Sequence, residues 1–153
     1  MSFEEIRVIT VVYTAVLLPL IIYWKYKSRL PKWIPSFYII SLVVCSLGWE
    51  LWFTYGWLDG NPVDLRRSEN LNKWLPKDIN WLLNSMGDAG AVLLGGTWLM
   101  WVTHKKNLMI FKKWNWTAFV VLYIWCVSQN IFVEMFLYHD QLADGKPLSW
   151  APL

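Results

Sequence analysis

Four long apolar runs, Val8–Trp24, Pro35–Trp57, Ile79–Thr103 and Trp114–Tyr138, dominate the chain and restrict the environment in which it can fold. A membrane span needs roughly 20 mostly apolar residues to cross about 30 Å of hydrocarbon. The first run is the shortest, and Phe3 and Ile6 can extend it. Hydrophobic residues make up 56% of the 153-residue chain and charged residues 16%, a balance one soluble core would not require. The expected fold class is all-α: a polytopic membrane protein, a bundle of four transmembrane helices at about 6–25, 35–57, 79–103 and 114–138. Together they would make one transmembrane domain over residues 1–153, with 58–78 as an outer loop.

Charge placement sets the expected orientation. "KYKSRLPKW" holds Lys25, Lys27, Arg29 and Lys32, and "HKKNLMIFKKW" holds Lys105, Lys106, Lys112 and Lys113, with no acid in either stretch. The segment between the second and third runs mixes both signs, and the N-terminal "MSFEEIR" is mostly acidic. Lys and Arg in short loops favour the cytoplasmic side. Loops 25–34 and 104–113 are therefore expected in the cytoplasm, with both termini outside (N-out/C-out), in a bacterial inner membrane or an ER-type membrane. The basic clusters are short and abut apolar spans, so they argue for topology and against nucleic acid. The N-terminus lacks a basic n-region and a small-residue cleavage site, so the first run is expected to stay as helix one. Cys45 and Cys126 lie near mid-span and read as small apolar packing residues.

Local signals refine this outline. Pro19 could kink helix one, and "LPKWIP" makes a tight inner turn. Asp59-Gly60-Asn61-Pro62 reads as a turn. Ser68 to Leu75 predicts a short helix on the membrane surface, with Leu71, Trp74 and Leu75 toward lipid and Pro76 ending it. About half of the 13 Trp residues fall at span ends, as an interfacial aromatic belt requires. Trp49, Trp52, Trp98 and Trp125 lie deeper.

Residues four apart share a helix face. On that basis helix two carries a stripe of Ser46, Glu50 and Thr54; helix three carries Asn84 and Asp88, then Ala91 and Gly95; helix four carries Cys126, Asn130 and Glu134 beside Gln129. At about 1.5 Å per residue, Glu50 lies roughly 22 Å from the inner face and Asp88 about 14 Å below the outer one. The acids thus gather in the outer half, where His139 and Asp140 could roof them. No Lys or Arg lies within these spans, and burial disfavours an ionised carboxylate. Asp88 or Glu50 is therefore expected to be protonated unless a cation, Arg66 or Arg67 reaches it. A protonated buried acid can donate a hydrogen bond or act as general acid. Glu50 and Asp88 are the candidate catalytic pair. Glu134, Asn84, Asn130, Gln129, Trp49, Trp52, Trp98 and Tyr55 are the candidate ligand contacts.

A plainer role stands beside this one: buried polar groups can simply tie membrane helices together. The small residues Gly87, Gly90, Ala91, Gly95 and Gly96 equally suit close packing or a flat ligand. No Glu-x-x-His pattern, nucleophile arrangement, phosphate loop or metal-spaced Cys pair is present; no metal site is assigned, and the cofactor is left unknown.

The stretches "GWELWFTYGWLDG", "WLMWVTHKK" after Asp88, and "SQNIFVEMFLYHDQLADGKPLSW" give the last two-thirds of the chain a further character. There it resembles the emopamil-binding protein group (the EXPERA domain), small helical proteins of sterol isomerases and related ligand-binding membrane proteins. The resemblance implies a membrane cavity in which Glu50 and Asp88 protonate a sterol double bond or hold an ammonium ligand, with Trp98 in the wall. Ser46 stands where that family carries a histidine one turn before its first acid, and the family's final helix has no counterpart after Trp150. These differences weigh toward binding over isomerisation.

The sequence therefore leads to an acidic, aromatic-lined intramembrane cavity for a hydrophobic or cationic small molecule, with sterol- or isoprenoid-type isomerisation as the chemistry if it is an enzyme. Partners would be the lipid bilayer and that small molecule. Two alternatives stay open: an accessory subunit bound to other membrane subunits, and a proton or ion pathway element in a possible homo-oligomer.

Overall fold

A computed structural model of the chain describes residues 1–56 and 62–136, apart from the side chains of 134–136. Residues 59–61 of the expected turn, and His139 and Asp140, lie outside the described residues. Every regular element within them is helical. Helix α1 (Phe3–Tyr26) starts with a reciprocal cap: the Glu5 N–H donates to Ser2 Oγ at 3.1 Å, and the Ser2 N–H to Glu5 Oε2 at 2.6 Å. Two donors that no helix bond can reach are thereby satisfied. The helix runs unbroken through Pro19. Its buried stripe is Val8, Val12, Val16 and Pro19, while Leu17, Leu18, Ile21 and Trp24 are exposed.

The second apolar run forms two helices. Helix α2 (Ile34–Leu47) ends at Gly48 and α3 (Trp49–Tyr55) resumes beyond it. A Cβ on Gly48 would lie 2.7 Å from the Val44 carbonyl oxygen, so any side chain would collide with backbone. At the end of α3, Gly56 takes the left-handed conformation (φ 83°) that favours glycine. Helix α4 (Glu69–Trp74) begins on the Ser68 side chain, which accepts from the Leu71 N–H. Its Leu71, together with Leu75 just beyond, is buried against Val8 and Val12 of α1; only Trp74 is exposed. Leu71 and Leu75 therefore do not face lipid as expected, because α1 offers the apolar surface first.

Helix α5 (Lys77–Ala89), a π-helical turn (Gly90–Gly95) and α6 (Gly96–Thr103) follow one another as a continuous rod through the middle of the fold. The rod packs against α1, α2, α3 and α7. Glycines permit the close approach: the Cβ position of Gly87 is 3.4 Å from Ala15, and that of Gly90 is 3.5 Å from the Pro19 ring. Helix α7 (Trp116–Phe136) begins at Asn115, whose Oδ1 accepts from the Ala118 N–H at 3.0 Å. It packs on α6 and the π turn.

Among the described residues, three helical stretches are long and apolar enough to cross a membrane: Phe3–Arg29, Ile34–Tyr55 (α2 with α3) and Trp116–Val133. The central rod is the most polar, since it carries Asn80, Asn84 and Asp88, and its neighbours bury Asn80 and Asn84. On α2, only Ile34 is buried, while Phe37, Ile39, Ile40, Val43, Val44 and Leu47 all stand exposed. Apolar surface on that scale, along the face of α2 turned away from the rod, suits lipid and not water. Cys45 and Cys126 are both free thiols.

Candidate functional site

Helical spacing on the central rod brings Asn84, Gly87, Asp88 and Ala91 to one face. Facing them are Trp49, Glu50 and Phe53 on α3, Val12 and Ala15 on α1, and Cys126, Gln129 and Asn130 on α7. These four walls enclose a cavity of about 630 Å³, within the range usual for small-molecule sites. It exists because α7 holds to the rod through α6 and the π turn and leaves a gap beside α5. The join is specific. The Trp125 indole N–H donates to the Ala91 carbonyl at 2.8 Å, and its ring covers Gly95 at 3.5 Å from the Cβ position. The Ala91 carbonyl also accepts from the Gly96 N–H across the π turn, so the indole is its second donor.

The cavity's chemistry is concentrated at one place. The carboxyl groups of Asp88 and Glu50 lie within hydrogen-bonding reach of each other at the cavity wall. Glu50 is only 5% exposed. Asp88 is exposed and is one of the residues that line the cavity. An ionised carboxylate only accepts, so a bond between two carboxyls requires a proton on one of them. When that bond forms, the pair holds one proton and carries a net charge no more negative than one. Among the described residues, no Lys, Arg or His lines the cavity, and Asn84, Gln129 and Asn130 supply its other polar groups.

The structure places the remaining predicted residues as follows. Trp49 lines the cavity. Trp52 is 48% exposed and is not a lining residue. Trp98 packs with Leu30, Ile34, Leu94 and Trp101 in a separate cluster. Tyr55 donates to Asp78 Oδ1 at 2.8 Å. The helix-two stripe does not survive the break at Gly48: the Ser46 hydroxyl bonds back to the Val43 carbonyl at 3.1 Å, away from the lining. Thr54 is fully buried outside the lining. Glu134 sits in the last turn of α7, but its side chain lies outside the described residues.

Arg66 donates to the Phe53 carbonyl at 2.5 Å and stacks over that ring at 4.9 Å. Arg67 donates to Asn72, to Asn80 Oδ1 at 3.0 Å and to the Leu75 carbonyl. Both therefore brace the segment between α3 and α5. Sequence reasoning missed the α1 wall altogether. Its only trace is the i, i+4 stripe of Val8, Val12 and Val16, which reads as ordinary core. Among the described residues, no group of three or more His, Cys, Asp or Glu comes together as a metal site would need.

Among the described residues, fold and site together define an all-helical chain, with helices suited to a membrane, in which two carboxyls line a cavity of mixed polar and apolar character. Compared with protein-family models, curated proteins and solved structures, the chain matches none.

Proposed function

We propose that the cavity binds a hydrophobic or cationic small molecule within a membrane, through the Glu50–Asp88 pair. The observation that carries this reading is that the Glu50 and Asp88 carboxyls share the wall of one 630 Å³ cavity. A purely structural tie would not need a cavity beside it. In its singly protonated form the pair offers one donor and one negative charge. It can therefore meet a carbonyl, a hydroxyl or an ammonium group while the surrounding walls take up apolar surface. Protonation of a sterol- or isoprenoid-type double bond, which the emopamil-like residues imply, would use the same proton.

In this reading the protein spans the membrane four times, with the central rod as the third span, roughly 40 Å long at about 1.5 Å per residue. Its polar residues are tolerated because three apolar helices surround it. The connections 27–33 and 104–115 meet at one end, where the Trp33 and Phe111 rings are 6.1 Å apart. Their all-basic charge supports a cytoplasmic position, with the N-terminus and the carboxyl cavity toward the other side.

The test uses the purified full chain in nanodiscs with a fluorescent lipophilic amine and its uncharged analogue as probes. Glu50→Gln and Asp88→Asn should each weaken amine binding roughly 10- to 100-fold, the worth of one hydrogen bond to a charged group. Trp52→Phe should leave it unchanged. If both carboxyl variants remain folded and bind the amine like the parent, the cavity is not a ligand site. Failure of either probe to bind the parent, with larger membrane subunits co-purifying, would make this face an assembly surface instead.

A further inference from the structure

The end of the bundle opposite the carboxyl pair has a different chemistry. The α1–α2 and α6–α7 connections meet there, and residues 24–33 and 104–116 hold eight Lys or Arg and no acid. Some of these cations have aromatic company: Lys27 Nζ lies 3.4 Å from the Trp24 ring centroid, and Lys106 lies 6.0 Å from that of Trp101. Among the described residues, Lys112 and Lys113 make neither a ring contact nor an ion pair. Both line a second cavity, of about 320 Å³, between α6 and the start of α7. The rest of its lining includes the apolar Met100, Ala118, Phe119 and Leu122. Trp114, 66% exposed, and Phe119 hold their rings 5.3 Å apart beside it. Exposed Trp at the end of a span marks headgroup depth.

Nearby, Lys105 and Lys106 both adopt the left-handed backbone, with φ of 55° and 62°. Side chains rarely take that conformation and glycine takes it freely. The turn thus keeps two ammonium groups where the backbone alone would favour none.

We propose that this second cavity is a binding site for one anionic phospholipid, its phosphate held by Lys112 and Lys113 and an acyl chain lying along the apolar lining. Cationic charge without an acid partner, an apolar cleft and an interfacial Trp together match an amphiphile with a negative head. A zwitterionic lipid would bring its own cation up against eight others. The site stands on the membrane setting alone and does not depend on what the carboxyl cavity binds.

The experiment takes the full chain from nanodiscs of mixed phosphatidylglycerol and phosphatidylcholine and counts retained lipids by native mass spectrometry. The parent should keep one phosphatidylglycerol per chain in preference to phosphatidylcholine. Lys112→Gln/Lys113→Gln should lose that lipid by roughly 10- to 100-fold, the worth of a direct hydrogen bond to the charged phosphate. Lys25→Gln/Lys27→Gln, at the same end but outside the cleft, should change retention no more than a few fold. The thermal midpoint should rise with phosphatidylglycerol in the parent and not in the Lys112/Lys113 variant, a readout that requires only that the variant be folded. Equal retention of the two lipids, or equal loss in both double variants, overturns the site in favour of diffuse surface attraction. Displacement of the lipid by inorganic phosphate overturns it in favour of a plain phosphate site.

Discussion

Asp88 is placed to do two jobs with one side chain: it lies within hydrogen-bonding reach of Glu50 and it presents polar surface to the cavity. These jobs separate by substitution. Asp88→Leu deprives the buried Glu50 of this partner and should destabilise the protein by about 1–3 kcal/mol. Asp88→Asn retains a donor and an acceptor and should cost less than about 1 kcal/mol. Thermal unfolding in detergent, followed by circular dichroism, orders the two; equal losses would mean that the pair does not contribute as a hydrogen bond. Asp88, Glu50, Asn84, Gln129 and Asn130 could be picked out from sequence because each is a polar residue set in an apolar run. Trp52, Tyr55 and Trp98 could not be sorted in the same way. An aromatic suits lipid, core and cavity alike, and only its neighbours decide.

Two interruptions of helical register govern the elements. At Gly48 the chain stops being one helix, which turns Glu50 into the interior while Ser46 falls back on its own helix. In the central rod, the π turn follows Asp88 within two residues and exposes the Ala91 carbonyl to Trp125. Glycine at each place answers to a different neighbour. A Cβ at Gly48 would meet the Val44 carbonyl oxygen at 2.7 Å, whereas one at Gly96 would meet the end of the Leu122 side chain at 2.5 Å. Backbone cannot step aside and a leucine methyl can. Gly48→Ala should therefore cost about 1–3 kcal/mol, as an overpacked site does, and Gly96→Ala clearly less. Denaturation midpoints of the two variants check the order, and a costlier Gly96→Ala would show that α7 is held more rigidly than its contacts imply. Neither break was legible beforehand: helical spacing was carried straight across Gly48, and glycines at 87, 90, 95 and 96 fit tight α-helical packing as well as a π turn.

Over the whole molecule, a polar rod sits among apolar helices, with acid chemistry toward one end and unbroken basic charge at the other. Membrane insertion of such an object should follow the charge. In a variant lacking Cys45 and Cys126, single cysteines at Ser2 and Lys73 should react with a membrane-impermeant thiol reagent on intact cells. Cysteines at Ser28 and Lys105 should react only after permeabilisation. Labelling of all four positions from one side would refute the four-span arrangement while leaving the helical fold intact.

From the amino-acid sequence alone came the all-helical class and the presence of helices long and apolar enough for a membrane, because apolar run length is a property of composition along a line. The sequence also determined which residues would be costly to bury. The tertiary structure decided which of them meet. α1 supplies a wall that no motif announces, a broken helix re-aims Glu50, and Trp125 sets where α7 leaves the rod. Each depends on how helices pack at an angle in three dimensions, and spacing within one helix carries no information about that angle.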